Sequence, residues 1–141
     1  MPARFETQGL AFSYPDNWQI EEAETEQGWS VTVQSPGTAF LLINVQDDRP
    51  SVQEVIDTTL AALREDYPEL EAEPSSERIA GRTARGHDIQ FFSLDLVNTC
   101  WTRCFRTADR TILILCQTSD LELETAEPVF RAIRASIEIE P

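Results

Sequence analysis

The sequence predicts an α+β fold, an antiparallel β-sheet sandwiched by helices in the order β-β-β-β-α-β-β-β-α. Three observations predict it. Ile112 through Cys116 is an apolar run with no polar break, too rich in Ile and too far from any cap to be a helix. It reads as a central strand covered on both faces. Two other segments carry helical periodicity, and they are set apart instead of alternating with each strand. The remaining apolar residues mostly alternate with polar ones, as strands with one wet face do.

Taken in order, residues 1–8 read as a poorly held lead-in. Leu10, Phe12 and Tyr14 then share one face of a strand, and Pro15-Asp16-Asn17 makes a turn. Trp18-Gln19-Ile20 restarts a strand ahead of a solvated acidic run from Glu21 to Glu26. Trp29–Val33 alternates strictly, and Ser35-Pro36-Gly37 turns the chain into Ala39–Val45. There, the continuous Phe40–Ile43 suggests burial on both sides.

The first helix is the best-marked element. Ser51 and Glu54 form a capping box, and Val52, Val55, Ile56, Thr59, Leu60, Leu63 and Tyr67 recur as one stripe. Tyr67-Pro68 ends it, since a residue before proline leaves the helical region. At ~2 kcal/mol per large side chain, the stripe contributes on the order of 10 kcal/mol gross, and Leu60→Ala is expected to cost ~2–5 kcal/mol.

Glu69–Ser76 reads as an acidic surface connection with at most a short strand. A three-strand meander follows: 82–94, a reversal at Leu96–Thr99, Cys100–Arg106, a turn at Ala108-Asp109, and the central strand. The second helix spans 125–136, with Ala126, Val129, Phe130, Ile133 and Ile137 on its apolar face and Glu127–Arg131 pairing along it. Pro128 is expected in its first turn. The whole chain, 1–141, reads as a single domain.

Composition narrows the function. Net charge is −14, and all eleven cationic side chains are Arg, with no Lys. That charge repels phosphate backbones and anionic lipid, so neither nucleic acid nor membrane is an expected partner. Schiff-base and P-loop lysine chemistry are excluded. The N-terminus carries no apolar leader or lipid-attachment cysteine, and no stretch approaches the ~20 apolar residues of a span. Three cysteines, an odd number, fit reduced buried thiols better than a disulfide framework. The expected location is the cytoplasm.

No nucleotide, zinc-protease or nucleophile-elbow motif occurs. Cys100 and Cys104 share a strand face but lie ~13 Å apart, too far for a disulfide or common metal. With Thr107 opposite Arg110, Cys116 falls opposite Trp101. The adjacent His87 and Asp88 point to opposite faces, so they form no local dyad. A Cys–His pair would need His87 to meet Cys100 or Cys104 across the meander. The acidic groups Glu21–Glu26 and Asp47-Asp48 lack calcium-loop spacing and read as solvated faces. Trp18, Trp29 and Trp101 are the candidate partner-binding residues wherever one lies exposed beside an apolar groove. No catalytic, cofactor or metal residue is expected.

The opening Gly9-Leu-Ala-Phe-Ser-Tyr-Pro-Asp-Asn-Trp18, the strand hairpin, the capped helix, the long meander and the closing Phe130-Arg-Ala-Ile-Arg-Ala-Ser-Ile137 resemble the PsbP-like superfamily. It includes the Ran-binding Mog-type and the DcrB-like bacterial proteins. The resemblance covers nearly the whole chain, and its motifs are fold signatures. It implies an antiparallel sheet between helices and an accessory or binding role, and some cytoplasmic members resemble chaperones that cradle apolar helices of secreted effectors. No family binding residue maps onto a numbered position. The sequence therefore points to a non-enzymatic cytoplasmic module, monomer or homodimer, that recognises a protein through a sheet face or edge. A binder of an apolar ligand or peptide between sheet and helices is the alternative, with a thiol- or His-dependent enzyme behind it.

Overall fold

A computed structural model describes residues 2–140. Five strands come first: β1 (Pro2–Thr7), β2 (Leu10–Pro15), β3 (Gln19–Glu24), β4 (Gly28–Gln34) and β5 (Phe40–Gln46). Helix α1 (Val52–Asp66) leads into β6 (Glu71–Ile79), β7 (Arg82–Ser93), β8 (Leu96–Arg106) and β9 (Thr111–Ser119). Helix α2 (Leu123–Ser136) and the short β10 (Glu138–Ile139) close the chain. The α+β architecture is as expected, with β1, β6 and β10 added to the expected order.

The first two additions have a local cause. Residues 2–7 are held because Phe5 stacks on Phe12 at 5.0 Å between ring centroids and reaches Trp29 at 6.1 Å. The acidic stretch after α1 pairs with β7 from Glu71 to Ile79. Its carboxylates and Pro74 look like loop, yet they are what an edge strand tolerates. The β7–β8 reversal falls at Leu94 and Asp95, both left-handed (φ 54 and 63), ahead of the expected Leu96–Thr99.

Seven strands form one antiparallel sheet in the order β3-β4-β5-β9-β8-β7-β6, and β1-β2-β10 form a second, smaller one. β9 is therefore the middle strand, with Ile112, Leu113, Ile114 and Cys116 buried as expected and Leu115 half-buried on the α1 side. The covering layers are staggered. Helix α2 and the small sheet pack on one face, over Val31, Val33, Leu41, Ile43 and Ile114, all 0% exposed. Helix α1 packs on the other face, over Cys104 and Leu113 in one cluster and Ile89, Phe91 and Cys100 in another. The two coverings overlap from β9 to β7, since Phe105 of β8 and Ala84 of β7, with Ile79 of β6, belong to the cluster under α2 and the small sheet.

That stagger corrects the reading of Phe40–Ile43. Leu41 and Ile43 are buried, whereas Phe40 and Leu42 point to the uncovered face and are half-exposed. It also lightens α1. Ser51 caps the helix as expected, its Oγ accepting the Glu54 N–H at 3.1 Å, and Tyr67 stacks on Phe91 at 4.0 Å. Within the helix only Val55 and Ile56 are buried, while Leu60 and Leu63 are half-buried. The gross contribution is about 4 kcal/mol for those two side chains plus a fraction for the rest. Helix α2 buries Ala126, Phe130 and Ile133, with Phe130 making edge contacts at 5.9 Å to both Trp18 and Trp101. It begins two residues before the expected start, which puts the exposed Pro128 in its second turn, where proline has no N–H to offer the Glu124 carbonyl.

Candidate functional site

The residues singled out for chemistry stay apart. All three cysteines are free and buried. Burial pushes the Cys100 thiol up to about 12, with Cys116 adding to the rise. Burial likewise raises Cys104 to about 12 against the pull of Arg85, and Cys116 to about 11 against the pull of Arg134. Such thiols are poor nucleophiles at neutral pH. In the β7–β8 register Cys104 lies opposite Arg85 and Cys100 opposite Ile89, so His87 faces neither. Cys116 pairs with Trp101, as the turn parity requires. Among the described residues no three His, Cys, Asp or Glu side chains gather in a way that could hold a metal ion.

His87 lies instead at a break in the ladder. Its backbone N–H donates to Thr102 Oγ1 at 2.9 Å, and its carbonyl accepts from Arg103 Nη1 at 3.3 Å. The adjacent Gly86 permits that approach, because a Cβ there would collide with the Thr102 carbonyl. His87 Nδ1 is buried with no hydrogen-bond partner.

The charged feature that sequence reasoning missed is centred on Arg103. Only 5% exposed, it donates to Glu77 and to Asp88 at 2.7 Å each and to Ser75 Oγ at 3.2 Å. Arg134 on α2 also turns inward, to Glu77 at 3.3 Å and to Cys116 Sγ at 3.6 Å. The available signal was parity: Arg103 lies between Trp101 and Phe105 on the same strand face, and an Arg at a core position must find carboxylates.

The tryptophans separate by burial. Trp18 and Trp29 are 9% and 6% exposed, set against Phe130 and Phe5, and offer a partner no surface. Trp101 is half-exposed. It sits where the α2 covering stops, and the register continues the same sheet face outward. Trp101, Asp88 and Glu73 form one row, Thr99, Gln90 and Glu71 the next, and Val97 and Phe92 the last. Phe92 is 77% exposed. A recess of about 600 Å³ runs along the first two rows. The sequence signal for Phe92 is adjacency: Phe91-Phe92 side by side on a strand must send one ring to each face.

Two other open surfaces exist. On the opposite face, Ser30, Thr32, Gln34, Phe40, Leu42, Asn44 and Gln46 of β4 and β5 are half-exposed and carry no charge. Between β2 and α2 lies an apolar groove of about 560 Å³, lined by Tyr14, Pro15, Pro128, Val129 and Ile133 among others.

Staggered helices on an open antiparallel sheet, with part of one sheet face left uncovered, define the class: an α+β fold with an antiparallel sheet between two helices. Comparison with solved structures narrows the fold. Cyanobacterial PsbP (CyanoP) from Synechocystis sp. PCC 6803 superposes with a TM-score of 0.70 at 12% identity, covering 99% of this chain and 92% of its own. LpqN, involved in cell envelope biogenesis of Mycobacterium tuberculosis, gives 0.63 at 13% identity over 100% and 90% of the two chains. PA94, a protein of unknown function from Pseudomonas aeruginosa, gives 0.60 at 14% identity over 99% and 98%. The chain has the PsbP-like fold. No protein-family model matches the sequence, and no curated protein does.

Proposed function

We propose that the chain is a single-domain, non-enzymatic module that works in the cytoplasm and recognises a protein partner through the open face of β6–β8. One observation carries the reading: Phe92, 77% exposed, shares an uncovered sheet face with half-exposed Trp101, and no packing in the fold accounts for Phe92. Accessible aromatics on a flat face are what interface anchors are made from. The inert thiols, and a His87 that faces neither Cys100 nor Cys104, support a non-enzymatic role. Three free cysteines suit a reducing compartment, which fractionation of the native cell checks.

The test compares wild type with Phe92→Ser as baits in native extract, both confirmed folded by circular dichroism. The expected result is a partner held by wild type and lost by the variant. Equal retention by both, or turnover by the purified wild type, overturns the proposal. A second reading, capture of an apolar ligand or peptide, is favoured by the groove between β2 and α2. In that case Val129→Asp, not Phe92→Ser, abolishes binding.

A further inference from the structure

We infer that the partner presents a basic amphipathic segment, with apolar residues against Phe92, Val97 and Trp101 and Lys or Arg side chains against Glu71 and Glu73. This rests on the protein-binding reading of the same face and names the chemistry of its occupant. The face is two-toned. Val97 and Phe92 give it an apolar end, and Trp101 floors the recess beside three acidic side chains, Asp88, Glu73 and Glu71. Along the strands, Phe92 to Asp88 spans ~13 Å, and β8 to β6 spans ~10 Å, room for about two helical turns.

The carboxylates are not equivalent. Glu73 lies directly opposite Asp88, a like-charge pair that costs stability unless a cation intervenes. Arg103 supplies one from within, but its Nη2 is committed to Asp88 and Ser75 and its Nε to Glu77. Glu71 and Glu73 make no ion pair among the described residues, and both are exposed. The chain has no Lys to offer them. A cation from outside therefore meets two uncompensated carboxylates beside an indole face, where cation–π attraction adds to the charge. A second copy of this chain, also at −14, brings the wrong sign.

The experiment is an NMR titration of the full chain with a synthetic Leu/Lys amphipathic peptide of about four helical turns, and with its Leu/Glu counterpart. The Leu/Lys peptide is expected to shift the Trp101 indole and the amides of 71–73 and 88–99, with affinity falling at least ~10-fold between about 0.05 and about 0.5 M salt. Glu71→Lys/Glu73→Lys is expected to weaken binding by ~10-fold or more. Glu24→Lys/Glu26→Lys makes the same change in net charge at the far side of the sheet and is expected to weaken it by less than ~3-fold. Equal weakening by both pairs, shifts mapping elsewhere, or equal binding of the Leu/Glu peptide overturns the proposal. So does self-association of the protein alone that Phe92→Ser abolishes. A native partner lost by Phe92→Ser yet held by Glu71→Lys/Glu73→Lys would leave the docking face standing and remove only its basic occupant.

Discussion

The two halves of the large sheet are roofed in opposite ways, and the comparison explains most of the molecule. Over β3–β5 the inner face lies under α2 and the small sheet, in one continuous cluster that includes Phe12 and Phe130, both 0% exposed. Over β6–β8 the cover is α1 on the other face, and its packing divides into two small clusters with half-buried Leu60 and Leu63 at the margin. The first half is built to hold the fold; the second leaves a face free and spends a buried cation, Arg103, on keeping its strands together. The main cluster reaches across β9 as far as Phe105, Ala84 and Ile79, and the same face lies open farther along, from Trp101 to Phe92.

That contrast can be attacked by mutation. The largest loss is expected from Phe130→Ala, about 3–5 kcal/mol by urea unfolding, because it empties the centre of the α2 side between Trp18 and Trp101. Arg103→Ala comes next at about 2–3 kcal/mol. It orphans Asp88 and leaves Glu77 with Arg134 alone, and since the two carboxylate side chains are 45% and 28% exposed, water recovers part of what a fully buried pair would lose. Leu60→Ala on α1 is expected to cost only about 1 kcal/mol, less than the ~2–5 expected from the helical stripe alone, since Leu60 is half-buried. Should Leu60→Ala match Phe130→Ala, the asymmetry between the halves is wrong.

The smallest effect concerns pH. Hydrogen bonds from the Thr38 N–H first, then from the Thr38 and Ser35 hydroxyls, hold the Glu122 carboxyl below its ordinary value of 4.5. A carboxyl depressed in the folded state adds stability above its unfolded value, and that share fades as pH falls through the folded value. Glu122→Gln should therefore lower the melting temperature slightly at neutral pH and converge with wild type in acid. A gap that widens below pH ~4 would contradict the assigned contacts.

What the sequence made legible follows the same division. Apolar periodicity reveals both helices and six of the seven strands of the large sheet, because burial there is one-sided or complete. Leu94-Asp95 carried no turn signal, since left-handed hairpin turns favour Asn-Gly or Asp-Gly and this pair is neither. β6 was hidden because an edge strand rich in carboxylate, with Pro74 inside it, has the composition of a loop. Of the candidate site, Trp101 was legible as an aromatic worth watching. Phe92, Glu71 and Glu73 were not, because their juxtaposition depends on a register that only the folded sheet fixes.

The large sheet never closes on itself, so β3 and β6 each end it with an unpaired rim. Glu21, Glu22 and Glu24 line one rim, and Glu71 and Glu73 the other, where Pro74 also withholds a backbone donor. Any strand from another copy trying to extend the ladder meets its own negative charge. The acidity that reads as mere solubility is therefore a guard against fibril growth, and protonating those carboxylates removes it.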